Sequence, residues 1–229
     1  YSLDEPGLAY ANSGNEGFDP TKYTSFPADD DNVIPILDGE WFTDEISERF
    51  KEFLKVTFGT EQYEENLTFL EDSLYPGNLA GKKRKTIRHY FLKDFYNHHG
   101  KLYKKRPIYW LFSSPKGTFN ALIYLHRYKS DTPSVVLGYL RDLQTKLGSE
   151  INRLESLTGS TATSEGDKVK ALKQVASLRS QMTELEEYEH DVLYPLATQQ
   201  ISLDLDDGVK VNYNLLGTAL KKITGLTAK

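Results

Sequence analysis

The sequence predicts a mainly helical α+β chain: a helical portion bearing a β-hairpin, then a long antiparallel αα-hairpin of coiled-coil type, closed by a small β-hairpin and a short helix. Three observations predict it. From Val136 to Leu154 the apolar residues step by fours and threes, the seam of a packed helix. Two apolar and aromatic runs, 107–112 and 118–125, flank the polar pentad SSPKG, as strands flank a hairpin loop. Charge is segregated along the chain. Residues 1–80 carry four basic and eighteen acidic side chains (net −14), residues 81–148 fifteen and three (+12), and residues 149–229 nine and twelve (−3), within a total of −5.

Residues 1–35, with Pro6, Gly7, Gly14, Gly17, Pro20 and Pro27 among scattered aromatics, read as an extended connector. The chain starts at Tyr1 without a methionine, and we read it as a piece of something longer, with the packing partner of the short strand 33–37 expected outside it. A helical and β-hairpin region, 36–132, follows. Thr43 is the expected N-cap of a helix over 43–58, on Ile46, Phe50, Phe53 and Leu54, and Thr60 that of an acidic helix over 61–73. A third helix is expected over 84–97, with Ile87, Phe91 and Phe95 inward, Lys82, Lys83, Arg84, Lys85, Arg88 and Lys93 on its other face, and Gly100 at its C-terminal cap. In the strand 118–125 the unbroken apolar run Ala121, Leu122, Ile123 predicts burial on both faces.

The αα-hairpin spans 133–195. Its outgoing seam is Val136, Leu140, Leu143, Leu147, Ile151 and Leu154; after the flexible stretch GSTATSEG (159–166) the return seam is Val169, Leu172, Val175, Leu178, Met182, Leu185 and Val192, and Pro195 ends it. In 196–229, ISLDL, the turn Asp206, Asp207, Gly208, and VKVNY have the pattern of a second β-hairpin before a helix over 215–223.

Catalytic chemistry has little support. The chain lacks cysteine, so disulfides and thiolate zinc sites are excluded, and it has no GxGxxG, GxxxxGK[ST] or GxSxG pattern. Four of five histidines, His89, His98, His99 and His126, lie in the basic block without metal-ligand spacing. Asp204, Asp206, Asp207 and Gly208 lack the spacing and closing Glu of a calcium loop. No run is long and apolar enough for a membrane span, and without a signal-like start the default location is the cytoplasm. No catalytic, metal-binding or cofactor-binding residue is expected in the chain.

Between Lys82 and Lys129, by contrast, thirteen Lys and Arg and eleven aromatics surround a single acid, Asp94. Lysine and arginine gain affinity for phosphates by displacing counterions, and aromatic planes stack on bases. The expected DNA contacts are Lys82, Lys83, Arg84, Lys85, Arg88, Lys104, Lys105, Arg106 and Lys116, with Asn120 beside the hairpin loop as a further outward residue. Ile108, Trp110, Phe112, Phe119 and Leu122 are expected in the core. A plainer reading stands beside this one: the block neutralises the acidic first third inside one fold.

Two runs carry a resemblance: KKRPIYWLFSSPKGTFNALIYLHRY (104–128) and YEHDVLYPLATQQISLDLDDGVKVNY (188–213), supported by DDNVIPILDGEWFTDEISERFKEFLKVTFG (30–59). The chain resembles the C-terminal part of the adenine-specific DNA methyltransferases of bacterial BREX phage-exclusion systems, the PglX family. The resemblance implies a parent enzyme that binds S-adenosylmethionine, flips a target adenine out of double-stranded DNA and methylates its N6. That family's Asn-Pro-Pro-Tyr motif has no counterpart, since the chain contains no Pro-Pro, and a glycine-rich cofactor loop is also missing. The expected role is therefore DNA binding and target recognition without catalysis. The alternative is an interaction scaffold whose coiled-coil hairpin docks other BREX subunits.

Overall fold

In a computed structural model, residues 26–80, 83–160 and 164–227 are described. Those parts of the expected connector (1–25) and of the helical-hairpin tip (161–163) that fall elsewhere lie outside the described residues, as does Lys82.

The centre is a three-stranded antiparallel sheet in the order β1-β3-β2, built from β1 (Ile34–Pro35), β2 (Tyr109–Ser113) and β3 (Asn120–Tyr124). Leu122 faces Leu111 on one side and Ile34 on the other, so β1 finds its partner within the chain, contrary to expectation. Every residue of β3 is buried. Alternate side chains explain why: Trp110, Phe112, Ala121 and Ile123 enter one core cluster, while Leu111 and Leu122 enter a second with Ile36, Ile87, Phe91 and Tyr96. A central strand covered by helices on both faces has no polar face to display, which is the burial expected from its sequence.

One cover consists of α1 (Ile46–Phe58), α2 (Tyr63–Leu74) and a bent helical run made of α3 (Ile87–Tyr90), a π turn (Phe91–Phe95) and α4 (Tyr96–Leu102). Helix α1 starts at Ile46 rather than at a Thr43 cap, because Glu45 is held in extended conformation, its carbonyl accepting the N–H groups of Glu48 and Arg49 at 3.0 Å. Likewise α2 starts at Tyr63, two residues later than the expected Glu61. The third helix does not stop at Gly100. A ring stack of Phe95, His99, Tyr103 and Tyr109 carries it onward, and the left-handed backbone expected at a glycine is taken by Lys104 (φ 50°) and Lys105 (φ 63°).

The other cover is the helical hairpin α5 (Thr132–Gly159) and α6 (Glu165–Tyr188). Arg179 meets Glu155 and Arg141 meets Glu189, so residue numbers rise along one arm as they fall along the other, which makes the arms antiparallel. With 28 residues, α5 is about 42 Å long. Its expected seam is buried throughout. On the return arm the seam is instead Ala171, Val175, Leu178, Met182 and Leu185; Val169 and Leu172, both expected inside, are 49% and 55% exposed. The four-then-three rhythm counted back from Val175 falls on Ala171, and packing follows the rhythm rather than side-chain size. The arm also continues past Pro195. A second π turn (Glu189–Leu193) leads into α7 (Tyr194–Gln199), and a wide turn upstream accommodates a residue with no N–H to donate.

The expected second β-hairpin is absent. Residues 201–204 have no regular structure, Leu205–Asp207 form a 3₁₀ turn, and VKVNY lies in α8 (Gly208–Leu215). The apparent strand alternation misleads, because Val209 packs on the core, Tyr213 and Leu216 are buried, and Val211 is 51% exposed: a helical stripe. Asn212 donates to the carbonyls of Asp204 and Gly208, tying the 3₁₀ turn to the helix. The expected helix over 215–223 is only a 3₁₀ turn, Gly217–Ala219, after which Leu220 bridges to Phe112 at the sheet edge.

Candidate nucleic-acid interface

The basic block divides by residue type. Three of its four arginines, Arg84, Arg88 and Arg127, are tied to groups of the acidic first third. Arg84 donates to Glu71 at 3.1 Å and Asp72 at 2.8 Å on α2, and Glu71 also accepts the N–H of Ile87 at 2.9 Å, fixing the start of α3. Arg88, half-buried, meets the buried carboxylate of Glu45, lies 3.5 Å from Glu48 and 3.7 Å from Glu40, and donates to the carbonyls of Leu37 and Gly39. Burial holds the Glu45 carboxyl above its ordinary range, outweighing the lowering pull of Arg88. Arg127 donates to the carbonyl of Asp29 at 2.6 Å. To this extent the plainer reading describes the molecule: these three cations knit the basic block to the acidic first third.

The lysines behave differently. Among the described residues, no lysine between 83 and 129 has a carboxylate partner, and neither has Arg106. Lys83, Lys85, Lys104, Lys105, Arg106 and Lys116 are all exposed, with the Lys85 ammonium 4.9 Å from the ring centre of Tyr75. Lys93, Asn97 and Lys101 are exposed every four residues along the helical run, which leads to Lys104 and Lys105.

At that end the chain forms an open groove of about 770 Å³, lined by Lys101, Lys104, Lys105 and Lys222 and, among the described residues, by no acid. Tyr96 belongs to its floor; burial pushes that hydroxyl up to about 12, against the lowering effect of its 3.2 Å contact with the Tyr213 hydroxyl, so the floor is neutral. Consecutive left-handed conformations at Lys104 and Lys105 cost roughly 1–2 kcal/mol each relative to ordinary backbone, and the N–H of Lys105 donates to the Gly100 carbonyl at 2.7 Å to hold them. Sequence reasoning found Lys104 and Lys105 but missed Lys101 and Lys222. Lys101 carries a helical-spacing signal from Lys93 and Asn97; Lys222 carries none, because only tertiary folding brings it there.

Lys116 sits elsewhere, on the β2–β3 loop, whose turn uses Gly117 at φ 78°. A buried carboxylate from the helical hairpin holds this loop: Glu184 accepts from the Ser114 hydroxyl at 2.7 Å, the Lys116 N–H at 2.6 Å and the Thr118 hydroxyl. Burial would raise its pKa, but the hydrogen bonds from Thr118, Ser114 and the backbone outweigh burial and hold it below the ordinary range. The Lys116 side chain remains exposed, facing with Lys93 a smaller hollow of about 170 Å³. Asn120, expected to point outward, is buried and donates to the carbonyls of Gly117 (2.8 Å) and Ile36 (3.4 Å), because β1 covers that edge of β3.

A second cleft, about 870 Å³, has the opposite sign. Asp31, Glu40, Asp44, Glu48 and Asp142 line it, with Trp41, Phe42 and Tyr139. Its polar groups are mostly engaged: the Tyr139 hydroxyl contacts Asp31 and Asp44, and the Lys146 ammonium binds the Trp41 carbonyl and lies 3.9 Å from the Phe42 ring centre. His99 is buried and kept neutral, its pKa lowered by burial and its Nε2 accepting the Tyr109 N–H at 3.1 Å. Among the described residues no group of His, Asp or Glu is placed to hold a metal ion, and no helix is long and apolar enough to cross a membrane.

No family model matches the chain. Over 99% of its length it is 41% identical to the adenine-specific methyltransferase BrxX of Escherichia coli O9:H4 (strain HS), and over 99% it is 38% identical to the adenine-specific methyltransferase PglX of Lacticaseibacillus casei (strain Zhang). The chain spans 19% of the length of each of these relatives. Nearly the whole chain is thus homologous to one segment of the adenine-specific methyltransferases BrxX and PglX.

Proposed function

We propose that this chain is a DNA-holding and target-recognition region of a BREX N6-adenine methyltransferase whose catalytic core lies outside it. The observation that carries this reading is the set of exposed lysines without a carboxylate partner among the described residues: in a chain of net charge −5, cations that could have found carboxylates face solvent instead. Phosphate contacts come from Lys83, Lys85, Lys104, Lys105, Arg106 and Lys116, together with Lys82; Arg84 and Arg88 shape the platform from positions tied to acids. S-adenosylmethionine would be bound by the parent enzyme. The chain has neither a glycine-rich cofactor loop nor an Asn-Pro-Pro-Tyr motif, so its residues do not fit that cofactor, and no step of methyl transfer is assigned to them. Fluorescence anisotropy of a labelled duplex tests the reading. Log affinity should fall with log salt by about 0.9 for each phosphate neutralised, and a chain with no salt-sensitive affinity for any duplex overturns it.

A second reading rests on a separate observation. Leu157, Val169 and Leu172 are exposed near the far end of the helical hairpin, so this arm is also suited to docking a protein partner of the same system. Substitution of all three by Ser would then abolish co-purification with that partner while leaving duplex affinity unchanged.

A further inference from the structure

We infer that Lys101, Lys104, Lys105 and Lys222 form one phosphate-backbone cradle, a composite site closed by the C-terminal segment and distinct from the hairpin-loop cation Lys116. The inference rests on the DNA-binding reading and deepens it. One wall is the end of α4 and the two left-handed lysines; the other is the segment around Lys222 and Thr224.

Four observations converge on this groove. Four lysines line it and, among the described residues, no acid does, so its field is uncompensated there. Non-glycine residues rarely take two successive left-handed conformations, and a strained backbone persists only where surrounding structure holds it; here it turns two lysines toward the same hollow. The second wall is anchored to the sheet, with the Lys221 N–H donating to the Leu111 carbonyl at 2.7 Å and the Tyr213 hydroxyl donating to the Lys221 carbonyl. Lys222 is therefore presented from a fixed segment rather than a free tail. Finally, the walls touch: Lys105 reaches across to Gly225, where an added methyl group would stand 3.3 Å from its ammonium. Lysines act as point charges with three donors each, which suits a run of phosphates better than the planar, bidentate reading of a base edge.

The experiment uses the full 229-residue chain and a labelled duplex over a range of sodium chloride. In K101Q/K222Q both altered side chains are exposed and, among the described residues, without carboxylate partners, so thermal unfolding should be unchanged. Duplex affinity should fall at least tenfold near 0.1 M salt, and the slope of log affinity against log salt should become about 1.8 units shallower, two phosphates at about 0.9 each. K101R/K222R should restore both. An unchanged affinity and slope in K101Q/K222Q, with the parent chain binding normally, overturns the cradle and leaves the DNA reading intact; a parent chain that binds no duplex overturns the DNA reading itself. Free phosphate is the other source of the same chemistry. If sodium phosphate displaces the duplex far more effectively than sodium chloride of equal ionic strength, the groove is a site for the small anion and the backbone cradle is overturned.

Discussion

The molecule holds two grooves of similar size and opposite design. The acidic cleft of about 870 Å³ is lined by five carboxylates whose neighbourhood is crossed by internal bonds from Tyr139, Lys146 and Arg88. The basic groove of about 770 Å³ is lined by four lysines that, among the described residues, have no internal bond to a carboxylate. Size is therefore a poor guide to which one serves a ligand. Charge that the fold has already compensated stabilises the fold, whereas charge left uncompensated at a surface is available to a partner.

Breaking the compensated side should have the largest effect on stability. Arg88→Leu leaves Glu45 buried without its cation and strips the carbonyls of Leu37 and Gly39 of a donor, so unfolding free energy should fall by about 3 kcal/mol, read as a lower denaturant midpoint. Glu184→Ala orphans two hydroxyls and an N–H in the β2–β3 loop and should cost about 2–3 kcal/mol. The loss should extend to duplex affinity, because that loop presents Lys116. The Glu184 carboxyl is depressed in the folded state, so its stabilisation is present above the unfolded carboxylate range and is lost as pH falls through the folded value. Glu184→Gln should remove that acid-side loss.

Asp29 sharpens the same comparison with the opposite sign. Burial, reinforced by its neighbour Asp31, raises its carboxyl from 3.8 to about 6 against the pull of Arg49. Its contribution is therefore fully present below pH 3.8 and disappears as pH rises through about 6. Asp29→Asn should flatten that part of the stability profile, with a gain near neutral pH of roughly 1–2 kcal/mol. A chemical-denaturation series from pH 4 to pH 7, with and without the substitution, measures it. The smallest effect on stability belongs to the uncompensated side. Replacing Lys83, Lys85 and Arg106 together by Gln should move the melting midpoint by no more than the equivalent of about 0.5 kcal/mol per site, while making the salt slope of duplex binding shallower by about 2.7.

Much of the architecture was legible because short-range rules decide it. The SSPKG loop between two apolar runs, the helical rhythm from Val136 to Leu154 and the two-sided burial of Ala121, Leu122 and Ile123 all follow from periods of two and 3.6. The errors fell where a distant contact outvoted a local signal. VKVNY alternates like a strand, yet the core accepts Val209, Tyr213 and Leu216 as a helical stripe. Pro195 looks like a terminator, yet a π turn carries the helix past it. Asn120 lies beside a loop, yet β1 covers it.

By itself, the sequence determined that the cations would be concentrated in one stretch of chain, with the strands and the long helices close to where they are found, because composition and periodicity are properties of neighbours along the chain. Only the tertiary structure decided which of those cations remain available. It assigned Arg84, Arg88 and Arg127 to partners in the acidic first third, turned Lys104 and Lys105 into a groove, and brought Lys222 to face them. Pairing between charges depends on distance in space, and residues far apart in sequence share no local signal that could announce it.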